Sequence, residues 1–281
     1  MNEVQGFLLE DSGIRGSIVR LEETWQSVIA QHDYAPALKT LLGEGVAATV
    51  LLASGLKAKP SVSLQLQSEG PLKLLLIQCS EELKVRGMAQ CAADAAPERL
   101  LGEGRLVVNL DTGRPQGFFQ GIVPMSSTRL DACLEAYFHQ SEQLPTRMVL
   151  KATDTRIAGM LLQVLPGQNL EDGAFAAAAA AVRKVSAVDL TGLAADDLLP
   201  KLFTDHVIRL FKPLPVLHDC RCTPERLAGV IRMLGEDEIK TLLADEGHVE
   251  LTCEFCNRTF RYDASAAHAI LAGENRSILL H

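Results

Sequence analysis

Positive charge is in short supply in this sequence. Its 281 residues carry 27 Lys and Arg against 35 Asp and Glu, a formal net charge of -8. A general electrostatic grip on nucleic acid or on an anionic membrane is therefore not expected. Long apolar runs are missing as well. No stretch approaches about 18 uncharged apolar residues, so no spanning helix is expected. The opening Met1-Asn2-Glu3-Val4-Gln5-Gly6 lacks a basic region followed by an apolar core. It does not read as a secretory signal, and the expected location is cytoplasmic, where thiols are kept reduced. The motifs of common enzymes are absent: no Gly-x-x-x-x-Gly-Lys-Ser/Thr loop, no Gly-x-Ser-x-Gly elbow, no His-Glu-x-x-His pair. Gly102-Glu103-Gly104 is too short for a dinucleotide fingerprint and reads as a turn. An enzymatic role is not expected. What remains, 47% hydrophobic and 22% charged, is the composition of a globular chain. The length allows one large domain, or a domain with a small appendage.

The cysteines are few and unevenly placed. Seven is an odd number, which argues against a fully paired disulfide framework. Cys79, Cys91 and Cys133 are scattered among apolar residues and read as small buried hydrophobes. The other four form two tight pairs, Cys220-Arg221-Cys222 and Cys253-Glu254-Phe255-Cys256, with thirty residues between them. Four thiolates in two chelating pairs can fill a tetrahedral zinc shell and close the intervening segment into a loop. We therefore expect one zinc ion held by Cys220, Cys222, Cys253 and Cys256. Zinc has no redox chemistry of its own, so any redox response belongs to the sulfurs. The one-residue spacing of the first pair still permits chelation, and either pair can close on itself as a disulfide. His218, two residues before Cys220, reads as an ordinary surface histidine because four thiolates already complete the shell.

The rest of the chain suggests an α+β fold with three sections. Residues 1–170 read as a mostly antiparallel sheet with helices. Ser61–Gln67 alternates apolar and polar residues, Glu69-Gly70-Pro71 supplies a turn, and further strands follow at 72–77, 83–88, 105–110 and 118–123. Leu38–Leu56 is a long apolar helical stretch, and Thr128–Phe138 is an amphipathic helix. Residues 171–216 change character, with six alanines at Ala176–Ala181, a break at Asp189–Leu193, and helix again over Asp196–Leu210. Such short helices are marginal in water, so this section reads as a helical linker that must dock on a neighbour. Residues 217–281 hold the two cysteine pairs. They read as a helix from Thr223-Pro224-Glu225, a second after Leu234, and a hairpin carrying Cys253 and Cys256. So small a section should draw much of its folding free energy from a metal, on the order of 10 kcal/mol.

The cysteine pattern resembles that of the redox-regulated heat-shock chaperones, the heat shock protein 33 family. His32-Asp33-Tyr34, Gln65–Leu72, Ser141-Glu142-Gln143-Leu144-Pro145-Thr146, Gly159–Gln163 and Leu243–Gly247 agree with family sequence, so the likeness covers essentially the whole chain. The resemblance implies an ATP-independent holdase. In the reduced state zinc would sit on all four thiolates and the protein would be inactive. Peroxide with mild unfolding, or hypochlorite, would join Cys220 to Cys222 and Cys253 to Cys256 and release the zinc. The linker and C-terminal section would then unfold and uncover an apolar surface for unfolding client proteins. The reduced form would be a monomer and the oxidised form a homodimer.

Two other readings stay in view. A zinc-ribbon nucleic-acid binder would want a basic face, but residues 217–281 hold seven Lys and Arg against eleven Asp and Glu. A thiol–disulfide oxidoreductase would want one low-pKa nucleophile on a thioredoxin-like scaffold, whereas these pairs lie in a zinc-sized section after the main domain.

Overall fold

The computed structural model describes residues 1–30, 32–56, 60–92, 100–115, 117–125, 127–166 and 173–273. Strands β1 (Asn2–Leu9) and β2 (Ile14–Leu21) open the chain, followed by helices α1 (Glu23–Ile29) and α2 (Pro36–Ser54). Five strands come next: β3 (Ser61–Ser68), β4 (Leu72–Cys79), β5 (Lys84–Cys91), β6 (Gly104–Asp111) and β7 (Phe118–Pro124). Helix α3 (Leu130–Tyr137) runs on into a π-helical turn at Phe138–Glu142, and the hairpin β8 (Thr146–Ala152) and β9 (Ile157–Val164) follows. The alanine-rich section gives α4 (Ala174–Arg183), α5 (Ala187–Gly192) and α6 (Ala195–Leu202), then the short strands β10 (Ile208–Leu210), β11 (Leu214–Pro215) and β12 (Leu217–His218). The C-terminal elements are α7 (Pro224–Leu234), α8 (Glu236–Glu246), β13 (His248–Thr252), β14 (Thr259–Asp263) and α9 (Ala264–Leu271). The chain forms two compact units, Met1–Asp219 and a second beginning at Cys220. The expected change of character between residues 170 and 171 falls within 167–172, outside the described residues.

The first unit is two sheets with α2 between them. One sheet runs β10-β1-β2-β9-β8, with β11 also on β1, and the other runs β12-β5-β4-β3-β6-β7. Pairing is antiparallel as expected, except that β12 lies parallel to β5, Leu217 opposite Lys84. Helix α2 buries 13 of its 19 residues. It is long and apolar enough to cross a bilayer by composition alone, but most of it is interior to this fold. Two glycines allow both sheets to reach it. A Cβ on Gly43 would lie 2.7 Å from Ile157 Cγ2 of β9, and one on Gly45 would lie 2.4 Å from Ile77 Cδ1 of β4. Side chains on those two faces would push the sheets apart.

The β9–β10 sheet is buried on both faces. Its inner face joins the core around α2. Its outer face, with Phe7, Ile14, Ile18, Met160 and Leu162, packs against α4–α6. All eight residues of β9 are buried for this reason. Val182, Val185, Leu198, Leu199 and Phe203 are buried there, and Leu202 is partly buried beside them. The Phe203 ring lies 5.9 Å from that of Phe7.

The helix expected over Asp196–Leu210 ends at Leu202 instead. Pro200 lacks the N–H that would bind back into the helix, and Phe203 leaves helical geometry at φ -126°. The next residues satisfy the open edge of β1, with Ile208 opposite Leu9 and Leu210 opposite Phe7. The expected break at Asp189–Leu193 lies largely within α5, whose first turn is capped by the Ser186 hydroxyl accepting from the Asp189 N–H.

Candidate metal centre

In the second unit a small core fixes the two cysteine pairs. Ile231 and Ala228 of α7, Ile239 of α8, Val249 and Tyr262 of the hairpin, and Ala266, Ala267 and Ile270 of α9 are its buried residues. Three of those eight are alanines, which bury little surface, so this core is weak for its length.

The first pair sits on a tight turn just before α7. The Cys222 N–H donates to the Cys220 carbonyl two residues back, which folds Cys220-Arg221-Cys222 so that both sulfurs can face one point. Helix α7 starts at once: the Thr223 hydroxyl accepts from the Arg226 N–H at 3.3 Å, and Pro224 occupies the first helical position. Arg226 Nη1 donates back to the Arg221 carbonyl at 3.2 Å and holds the turn against the helix.

The second pair sits at the tip of the β13–β14 hairpin. The Cys253 N–H donates to Arg258 O at 2.9 Å, and the Asn257 N–H donates to Cys253 O at 2.8 Å. Asn257 closes this turn in the left-handed region at φ 55°, which asparagine tolerates better than most residues. Tyr262 of β14 brings the two halves together, its hydroxyl donating to Pro224 O at 2.8 Å. Neither Asn257 nor Tyr262 was an expected part of the site. An asparagine directly after the second cysteine was the available signal for the first, and nothing in the spacing marked the second.

The four sulfurs converge. All of them lie within 4.8 Å of one another. Cys220 Sγ is 3.6 Å from Cys253 Sγ, and Cys222 Sγ is 3.3 Å from Cys256 Sγ. None of the seven cysteines is in a disulfide. A tetrahedral shell with metal–sulfur bonds of about 2.3 Å places its sulfurs roughly 3.8 Å apart, so these residues fit a four-thiolate metal site. The protonation energetics agree. Burial pushes the Cys220 thiol well above its ordinary value, and the neighbouring thiols add to that. Burial, with Cys256, pushes Cys222 up to about 11. Burial also acts upward on Cys253, but hydrogen bonds from the N–H groups of Cys256 and Phe255 outweigh it and the thiol falls below the ordinary range. Four crowded thiols resist joint ionisation, and a bound dication reverses that balance.

The remaining candidates lie elsewhere. Cys79 and Cys133 are buried in the first unit, Cys133 Sγ donating to Ser127 O at 3.3 Å, and Cys91 is partly exposed. His218 is half-buried rather than a surface residue. It belongs to β12, opposite Val85, and burial lowers its pKa.

The family model described as Hsp33 protein matches residues 2–263. The chain belongs to the Hsp33 family. Among its Hsp33 relatives, the 33 kDa chaperonin of Shewanella denitrificans is 39% identical over 262 residues, covering 92% of this chain and 91% of the relative. That of Shewanella frigidimarina is 37% identical with 96% of each covered, and that of Sodalis glossinidius is 37% identical with 94% and 93% covered. The crystal structure of the 33 kDa chaperonin of Thermotoga maritima, an Hsp33 homologue, superposes with a TM-score of 0.82 over 98% of this chain and 99% of that one. At 20% identity, that likeness speaks for the Hsp33 fold alone. The α+β class and the C-terminal cysteine cluster expected from the sequence are both present.

Proposed function

We propose that this chaperone is an ATP-independent holdase switched by the oxidation state of Cys220, Cys222, Cys253 and Cys256. The observation that carries the proposal is the convergence of those four sulfurs within 4.8 Å in a unit with a weak core of its own. In the reduced state the four thiolates hold one zinc ion, whose chemistry when bound is to offset part of their negative charge and fix the four sulfurs. On oxidation, Cys220 joins Cys222 and Cys253 joins Cys256. As each disulfide forms, its two thiolates together give up two electrons, which reduce one peroxide to two hydroxide ions or one hypochlorite, with a water, to chloride and two hydroxide ions. A closed pair no longer supplies two thiolate donors, so the sulfur shell is lost and the second unit loses its main support.

Residues 171–216 are the coupling section in this reading, between a chaperone domain at 1–170 and the redox-switch domain at 217–281. Undocking of α4–α6 would uncover Phe7, Ile14, Ile18, Met160 and Leu162, an apolar sheet face of the kind that binds unfolding clients. The reduced protein would be a monomer, the oxidised one a homodimer, both cytoplasmic and without catalytic turnover. The test uses one sample: zinc content and suppression of client aggregation, measured before and after oxidation. Zinc lost together with gained suppression is the expected result. Suppression that is the same in both states would overturn the proposal.

A further inference from the structure

At the C-terminal end of α2 the two sheets of the first unit part around a cavity of about 280 Å³. Leu51 and Leu52 of α2, Val108 and Leu110 of β6, Leu161 of β9 and Phe211 form its apolar walls. That volume is close to the lower end of small-molecule sites, about 300 Å³. Phe211 is pinned at the mouth, its N–H donating to Gly6 O at 3.0 Å and its carbonyl accepting from Gln5 Nε2 at 2.9 Å. The residue is nonetheless 49% exposed.

One cation faces into this apolar space. Arg15 of β2 is partly buried and donates from Nε to Gln163 Oε1 at 3.2 Å, from Nη2 to the same oxygen, and from Nη1 to Gly55 O at 3.1 Å. Both acceptors are neutral, and among the described residues no carboxylate forms an ion pair with it. A guanidinium has five N–H donors. These three bonds leave one on Nη1 and one on Nη2. Gln163 cannot turn away to change this: its Nε2 donates to Thr146 Oγ1 at 3.0 Å, and that hydroxyl donates to Leu144 O at 3.0 Å. Burial lowers the Arg15 pKa and no charged group offsets it. A half-buried cation held by neutral partners in an apolar cavity is an unusual cost, and a ligand carboxylate would relieve it.

We infer that this cavity binds a free medium-chain fatty acid, its carboxylate on the two remaining Arg15 N–H groups and its alkyl chain along Leu52, Val108 and Leu110. The site uses none of the four cysteines; because Phe211 lies within residues 171–216, it is tested on the reduced protein. It needs only the folded first unit.

The test uses the reduced full-length protein with decanoate and decanol as probes, both below their micellar or solubility limits. Calorimetry should show one decanoate bound per chain and decanol at least about tenfold weaker, the scale of a charge-assisted hydrogen-bonded pair. Arg15→Met should erase that preference, and Arg15→Lys should keep part of it. Should Arg15→Met fail to fold, the wild-type protein decides the matter. Its Arg15 Nε–H resonance should shift on adding decanoate, and the Leu110 and Val108 methyls should show contacts to the alkyl chain. Absence of saturable decanoate binding, equal binding of decanoate and decanol, or an unmoved Arg15 resonance each overturns the assignment.

Discussion

Cys222 Sγ lies 3.3 Å from Cys256 Sγ, across the gap between the two cysteine pairs. This is too long for a disulfide, about 2.05 Å, and closer to the roughly 3.8 Å between two thiolates on a common ion. The geometry fits ligation, with close sulfur contacts that join the two pairs as well as four sulfurs within 4.8 Å of one another. That arrangement makes the first prediction specific. The reduced protein should carry one zinc per chain, and Cys253→Ser should lose most of it. Chelation should unfold the second unit and leave the two sheets of the first folded, because a core of eight residues, three of them alanine, cannot replace a contribution on the order of 10 kcal/mol. Metal analysis together with circular dichroism of the apoprotein checks this. Full zinc retention in Cys253→Ser would remove the site.

Disulfide connectivity is the second prediction. Cys220 approaches Cys253 at 3.6 Å in the folded state, so cross-pair bonds are also within reach of a rigid site. We expect within-pair bonds, because the hairpin loosens once thiolate donors are lost and loop closure then favours near neighbours. Peptide mapping after peroxide treatment should find Cys220–Cys222 and Cys253–Cys256. A map dominated by Cys222–Cys256 would mean that the unit oxidises while folded.

The third prediction concerns Glu44, a carboxylate in the middle of α2. It faces a cavity of about 400 Å³ shared with Arg129, Asp131, Lys151 and Arg183. Burial, reinforced by Asp131, pushes its pKa up to about 7, with Lys151 and Arg129 acting in the opposite direction. The protonated form is thus favoured in the folded state. Its stabilisation is complete below the ordinary carboxylate value and is lost as pH rises through about 7. A shift of this size corresponds to roughly 3 kcal/mol at most. Denaturant unfolding should show wild type losing stability between pH 5 and 8, with Glu44→Gln flatter and more stable at pH 8. Parallel pH curves for the two proteins would exclude Glu44 as the source.

Local features were legible in the sequence, and long-range ones were not. The strands β3–β7 could be read because apolar residues alternate or cluster along them and most of their connections carry glycine. Strand β9 could not, because burial on both faces removes alternation. The helix expected to run to Leu210 stops at Leu202, because the edge of β1 outbids local helix propensity for Ile208–Leu210. The four thiols were legible because chelation imposes short spacing within each pair. The hydrogen bond between Arg15 and Gln163 spans 148 residues and has no local signature at all.

The last prediction tests the coupling section. Phe203 is buried against Phe7, its ring 5.9 Å away, and Leu199 beside it is fully buried. Each such side chain contributes about 1.5–3 kcal/mol on burial, and ordering the segment costs much of that back. The docking of α4–α6 should therefore be worth only a few kcal/mol, since α4 buries little beyond Ala178, Ala179 and Val182. A buried aspartate at position 203 costs about as much as the whole interaction. Phe203→Asp should then release the section while the four thiols stay reduced and zinc-loaded, as Leu202→Asp should more weakly, because Leu202 is only partly buried. Light scattering of a heat-denaturing client should show suppression by reduced Phe203→Asp and none by reduced wild type. Hydrogen exchange over 174–202 reports whether the section has opened. If exchange is fast there and the client still aggregates as with wild type, the sheet face under α4–α6 is not the client surface. The activating surface must then lie in the second unit itself.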